Sequence, residues 1–150
     1  MLVIENTAEL ACRAGEHLGN SPWIEVTQDV INEFGRSTHD LNWVHCDPER
    51  AASSPFGATI AHGYYSLALI GGLIQETIDT SFCSLGLNYG LDKVRFPAAV
   101  PVGSKVRLNL TLTGTDTIEG GINARYRCVI EIDGSEKPAC VAEAIIRYYD

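Results

Sequence analysis

The sequence predicts an α+β fold in which one buried helix packs against a long antiparallel sheet. Two observations support this prediction: an apolar segment at residues 63–78 (GYYSLALIGGLIQETI), and a second half of the chain in which apolar and polar residues alternate. Helical segments come first along the chain and strands follow them, an order typical of α+β proteins. The 150 residues suit a single domain that spans positions 1–150.

Short elements are predicted before the apolar segment. Residues 6–14 favour a short helix, and residues 23–26 (WIEV) a brief strand. Thr27 is a typical N-cap for a helix that runs to about Phe34. Asp47 and Pro48 then indicate another helix start, because an acid caps the helix and proline suits its first position. The Ser/Pro/Gly run at 53–57 keeps that helix short.

The segment at 63–78 is predicted to be a helix enclosed by other structure, since its apolar residues surround the helix instead of forming one stripe. A membrane span needs about 20 predominantly apolar residues, so a buried helix is the better interpretation. Four strands follow it. Period-two alternation and turn signals place them at about 85–96, 104–115, 122–132 and 138–149.

Composition limits the function and the compartment. The formal net charge is −8, which argues against a nucleic-acid partner because such proteins carry a basic surface. The five cysteines include no CxxC pair, as expected of free thiols in a reducing compartment. The first residues lack the basic start of a signal peptide. We therefore expect a cytoplasmic protein that binds neither nucleic acid nor a membrane.

The stretch DLNWVH at residues 40–45 places an acid and a base close together. Histidine has an unperturbed pKa near 6.5, so His45 is suited to activate water around neutral pH. Five residues correspond to about 140° around a regular helix, so Asp40 and His45 converge only if the chain bends between them. Nearby His39, Cys46 and Asp47 match no zinc spacing, and no metal site is predicted.

Residues 40–64 (DLNWVHCDPERAASSPFGATIAHGY) resemble the hydratase-2 motif of the MaoC-like dehydratases, the family of (R)-specific enoyl-CoA hydratases. The likeness is greatest to the nodulation-protein-N-like branch and extends to residues 88–107 and 137–149. The resemblance implies a single hot-dog domain, in which a long helix is wrapped by an antiparallel sheet. It also implies a homodimer in which two sheets join into one.

The same resemblance assigns roles to individual residues. Asp40 and His45 would handle water and proton, and the backbone N–H of Gly63 would bind the thioester oxygen as an oxyanion donor. Beyond the resemblance, we infer that Asn42 supports the loop or the water. His62 is interpreted as a structural hydrogen-bonding residue at the start of the helix. His39 stands where the family usually has glycine, which bears on the local backbone if a positive φ is needed there.

The implied reaction is reversible hydration of trans-2-enoyl-CoA to (R)-3-hydroxyacyl-CoA. It needs no metal or redox cofactor, since CoA enters as part of the substrate. Two alternatives remain. An acyl-CoA thioesterase would need a carboxylate or water aimed at the carbonyl carbon. A non-catalytic acyl-binding module, or the structural subunit of a heterodimeric dehydratase, would tend to lose the acid or the histidine, and this chain keeps Asp40 and His45.

Overall fold

The structure is a computed structural model that describes residues 1–150, with five helices and six strands. The helices are α1 (Thr7–Cys12), α2 (Gln28–Thr38), α3 (Trp43–Cys46), α4 (Pro48–Ala52) and α5 (Gly63–Thr77). The strands are β1 (His17–Asn20), β2 (Ile24–Glu25), β3 (Leu85–Arg95), β4 (Lys105–Ile118), β5 (Gly121–Ile132) and β6 (Cys140–Tyr149). None of the helices has the length and apolar character needed to cross a bilayer.

The strands form one antiparallel sheet in the order β1-β4-β5-β6-β3, with β2 paired to β4. The four predicted long strands are confirmed, and β1 is a strand that the sequence analysis missed. The first long strand after α5 becomes the edge of the sheet, because β3 pairs only with β6. The α+β prediction is therefore correct.

Helix α5 and one face of the sheet form the core. Alternate residues of β4 are fully buried, among them Leu108, Leu110 and Leu112. They belong to one apolar cluster with Ile70 and Ile74 of α5. Because side chains of a strand alternate between its two faces, the period-two pattern of the sequence delivers every second residue to this cluster.

Helix α5 is covered by the sheet on one side and open on the other, so this chain supplies only part of the structure predicted to enclose it. Tyr64 is 69% exposed, and Ala68 and Gly72 on later turns are exposed as well. The sheet covers only one side of the helix. The apolar residues that the sequence distributes around α5 therefore include an uncovered face.

Helix α2 runs four residues further than predicted, through the polar run that precedes the acid. Thr27 caps its start as expected, with the side-chain oxygen accepting the N–H of Val30. Gly35 lies inside the helix, and a Cβ there would approach the Asp40 carbonyl oxygen to 2.9 Å. The C-cap of α2 is His39, with φ 61° and ψ 18°, the left-handed conformation usually taken by glycine at this place.

Replacing His39 with glycine should therefore stabilise the fold. Relief of the left-handed strain exceeds the extra entropy of an unfolded glycine, and we expect a gain of about 0.5–1 kcal/mol in the free energy of unfolding. The matched control is Ser37→Gly in the last turn of α2, which should lose a similar amount. Urea denaturation measures both. A lower free energy of unfolding for His39→Gly would contradict the strain argument.

Candidate active site

The chain bends between Asp40 and His45, as the analysis of the motif required. After the left-handed His39 it runs without helical structure to Asn42 and then enters α3. The Asn42 side chain caps α3 by accepting the N–H of Val44 at 3.3 Å. Asn42 thus stabilises the turn that presents His45.

The bend brings three ionisable side chains together. One carboxylate oxygen of Asp40 and one ring nitrogen each of His45 and His62 lie within 4.8 Å of one another. Asp40 is half exposed, whereas His62 is 2% exposed. The separation between the Asp40 carboxylate oxygen and the His45 ring nitrogen is wide enough for one water molecule to form a hydrogen bond to each.

Hydrogen bonds hold both the ring and the backbone of His45. Its Nδ1 donates to the Ile60 carbonyl oxygen at 2.7 Å, and its own carbonyl oxygen accepts from Gln28 Nε2 at 2.8 Å. Because a carbonyl oxygen only accepts, Nδ1 carries the proton and the neutral ring keeps its lone pair on Nε2. Burial lowers the pKa of His45, against the opposing effect of the hydrogen bond to Ile60. His45 is thereby suited to act as a neutral base.

His62 has the structural role predicted for it. Its Nε2 donates to the Asp40 backbone oxygen at 2.9 Å, while its ring stacks on His45 with centroids 3.8 Å apart. The ring of Phe34 also packs against the imidazole of His62, with the two ring centroids 5.1 Å apart. His62 therefore connects the start of α5 to the backbone of the acid and to the plane of the base.

The same three side chains are a cluster of metal-ligand types, but only two of them keep a free ligand atom facing the cluster, the Asp40 carboxylate and His45 Nε2. The Nε2 of His62 faces a carbonyl oxygen and so bears a proton, as does the Nδ1 of His45. A metal ligand needs an unprotonated nitrogen. The Nε2 of His62 and the Nδ1 of His45 are engaged in hydrogen bonds with the carbonyl oxygens of Asp40 and Ile60.

A cavity of about 310 Å³ opens beside His45 and is lined by Gly63, Ser66, Phe96 and several alanines. The structure gives the Gly63 N–H no hydrogen-bond partner, and this group is the first donor of α5, where the helix dipole is positive. A Cβ at Gly63 would lie 3.1 Å from the Phe96 ring. Glycine avoids crowding the ring of Phe96, and it leaves the amide open to a bound group.

The structure brings together the predicted residues Asp40, His45 and Gly63, with Asn42 in the supporting turn. Sequence reasoning missed Gln28 and Phe96. Gln28 follows a helix cap, and Phe96 ends a strand, so neither position carries a local signal for a site. Only the contacts across the fold, from Gln28 to the His45 carbonyl and from Phe96 to Gly63, reveal their part in it.

Comparison with known proteins identifies a matching family model and related dehydratase and nodulation proteins. The family model described as "MaoC like domain" matches residues 9–130. The chain is 48% identical over 149 residues to "3-hydroxyacyl-thioester dehydratase Z" of Mycobacterium tuberculosis, covering 99% of both chains. It is 39% identical over 147 residues to "Nodulation protein N" of Rhizobium leguminosarum bv. viciae, covering 92% of this chain and 88% of the relative.

Among solved structures, the fold is similar to that of the R-hydratase PhaJ1 from Pseudomonas aeruginosa. The TM-score is 0.75 at 23% sequence identity, over 97% of this chain and 86% of the other. At that identity the likeness concerns the hot-dog fold alone. The family match over residues 9–130 and the 48% identical dehydratase identify the chain as a hydro-lyase that belongs to the MaoC-like dehydratase family.

Proposed function

We propose that this protein is an (R)-specific enoyl-CoA hydratase, which adds water reversibly to trans-2-enoyl-CoA and forms (R)-3-hydroxyacyl-CoA. The observation that carries the proposal is the position of the neutral His45, which lies beside the Asp40 carboxylate and lines the same cavity as the free Gly63 N–H. The relatives support it, since one is named a 3-hydroxyacyl-thioester dehydratase, and dehydration is the reverse of this hydration.

The geometry supports a division of labour over one water molecule. His45 Nε2 accepts a hydrogen bond from the water, and the Asp40 carboxylate accepts the other. As the water oxygen bonds to C3 and the C2–C3 π bond breaks, the Asp40 carboxylate takes one proton from the water and delivers it to C2, while the other proton stays on the oxygen as part of the C3 hydroxyl. Both hydrogens and the oxygen of the water end in the product, so the reaction needs no metal or redox cofactor.

The thioester oxygen gains negative charge while C2 receives its proton. The Gly63 N–H is unpaired at the start of α5, next to the same cavity as His45. A preorganised donor of this kind stabilises a developing oxyanion by about 3–4 kcal/mol. CoA would thus enter as part of the substrate, with its thioester group at Gly63.

Replacing Asp40 with asparagine should abolish most hydration without unfolding the protein, because this half-exposed side chain has no packing role. We expect a loss of about 10²–10⁴-fold in kcat, the usual contribution of a general acid or base. The matched control is Asp47→Asn, which keeps the cap of α4 and should retain activity. Full activity of Asp40→Asn on crotonyl-CoA would refute the assignment.

The pH profile should report the lowered pKa of His45. His45 accepts the hydrogen bond of the water only when its ring is neutral, so kcat/KM should remain level as the pH falls to 6.5, the ordinary histidine value, and decline only at more acidic pH. Initial rates between pH 4.5 and 8.5 measure this limb. A midpoint at or above 6.5 is the result that contradicts it.

We also propose a cytoplasmic homodimer. All five cysteines are free thiols, which supports a reducing compartment. Strand β3 has a partner on one side only, and it exposes Leu85, Leu87, Tyr89 and Leu91. A long apolar edge of this kind is a template for pairing with another chain. A second copy would place β3 against β3 and would cover the open face of α5.

Substituting Leu87 with lysine should weaken this dimer by placing a charge in its interface. Sedimentation velocity at micromolar concentration should show wild type as a dimer and Leu87→Lys shifted toward monomer. Thr113→Lys adds the same charge at an exposed position of β4 and should remain dimeric. A monomeric wild type would overturn the homodimer.

A further inference from the structure

One buried hydroxyl in the chain has no hydrogen-bond partner. Four serine or threonine side chains are buried, and three of them are satisfied: Ser21 by Pro22 and Leu108, Thr59 by Gln28, and Thr77 by the Leu73 carbonyl. The fourth is Ser66, which is 3% exposed. Buried polar groups are nearly always paired, so an exception needs an explanation.

The Ser66 hydroxyl has no hydrogen-bond partner, but its oxygen is not fully enclosed by protein atoms. The buried side-chain atoms that lack both a partner and open space are Arg13 Nε and His62 Nδ1, and Ser66 Oγ is not among them. Ser66 lines the cavity that also contains His45 and Gly63. Its hydroxyl therefore has access to that cavity, where a ligand can reach it.

Helix geometry aims this hydroxyl at the Gly63 amide. Gly63 and Ser66 are three residues apart at the start of α5, so they share one face of the helix. Side chains on a helix lean toward its N-terminus and cover the preceding turn. Gly63 has no side chain to fill that place. The two donors, one N–H and one O–H, thus face the same end of the cavity.

We propose that the Ser66 hydroxyl is a catalytic donor that binds the thioester oxygen together with the Gly63 N–H. The proposal rests on the proposed function, because it assigns a second donor to the same oxyanion. Ser66 forms and breaks no covalent bond. It keeps its proton and donates a hydrogen bond that strengthens as charge develops on the oxygen.

Ser66→Ala tests the proposal, with Thr77→Val as the matched control on the same helix. Loss of one oxyanion donor typically costs about 10²–10³-fold in kcat, and we expect at least a tenfold loss for Ser66→Ala on crotonyl-CoA. Thr77→Val removes a buried hydroxyl whose partner is Leu73, so it should lower Tm and keep kcat within about twofold of wild type. A smaller loss of kcat for Ser66→Ala overturns the proposal.

A second readout separates donation from a structural role and does not depend on turnover. Butyryl-CoA labelled with ¹³C at its carbonyl carbon lacks the double bond and is not hydrated, so its carbonyl infrared band can be measured in the bound state. Wild type should lower the frequency of this band more than Ser66→Ala does. A band equal in both proteins overturns the proposal, even if kcat falls.

The two readouts also distinguish this inference from the proposed function. If wild type hydrates crotonyl-CoA and Ser66→Ala matches it in rate and band, the hydratase stands and the Ser66 donor fails. If wild type hydrates no enoyl-CoA but the band still depends on Ser66, the donor stands and the hydratase fails.

Discussion

The contacts of one buried imidazole hold the candidate active site together. His62 lies at the N-cap position of α5, where its ring donates to the Asp40 carbonyl oxygen and stacks on the ring of His45. The start of α5 and the stretch from Asp40 to His45 therefore meet at the side chain of His62, which is 2% exposed. Because a buried donor left without its acceptor costs about 1–3 kcal/mol, the Asp40 backbone is strongly tied to this position.

The sheet supplies the rigidity that this contact requires. Helix α5 is anchored by Ile70 and Ile74 in the cluster formed with β4, β5 and β6, so its first turn has a fixed position. The helix dipole and the free N–H of Gly63 then act at the edge of the cavity instead of in solvent. A site built on a regular element keeps its geometry more accurately than one built only from loops. The bend at Asn42 is irregular, and the Asn42 side chain secures it by capping α3.

The sequence predicted the regular elements well because their signals are local. The four long strands follow from alternation, and α5 follows from a long apolar run. Strand β1 was missed because HLGN at 17–20 shows no alternation; its pairing partner is β4, about ninety residues further along the chain, and a bulge lies between His17 and Gly19. The last turn of α2 was missed because its polar residues resemble a loop, and because Gly35 is required there by packing against the Asp40 carbonyl.

For the site, the motif predicted the acid, the base and the glycine, but not the contacts that orient them. The hydrogen bond from Gln28 to the His45 carbonyl, and the packing of Phe96 on Gly63, join residues distant in sequence. Spacing alone therefore gives the reacting groups, while their orientation requires the fold. The uncovered face of α5 has the same origin, since no single-chain pattern distinguishes a residue buried by its own sheet from one that awaits a partner.

The most direct measurement is the loss of enoyl-thioester absorbance when the purified protein meets crotonyl-CoA or a longer enoyl-CoA. We predict that the absorbance decreases with wild type, with (R)-3-hydroxyacyl-CoA as the product, and that it does not decrease with His45→Ala. No decrease with folded wild type, or an equal decrease with His45→Ala, would contradict the assignment of this cavity as a hydratase site. Release of free CoA from a saturated acyl-CoA would point instead to a thioesterase.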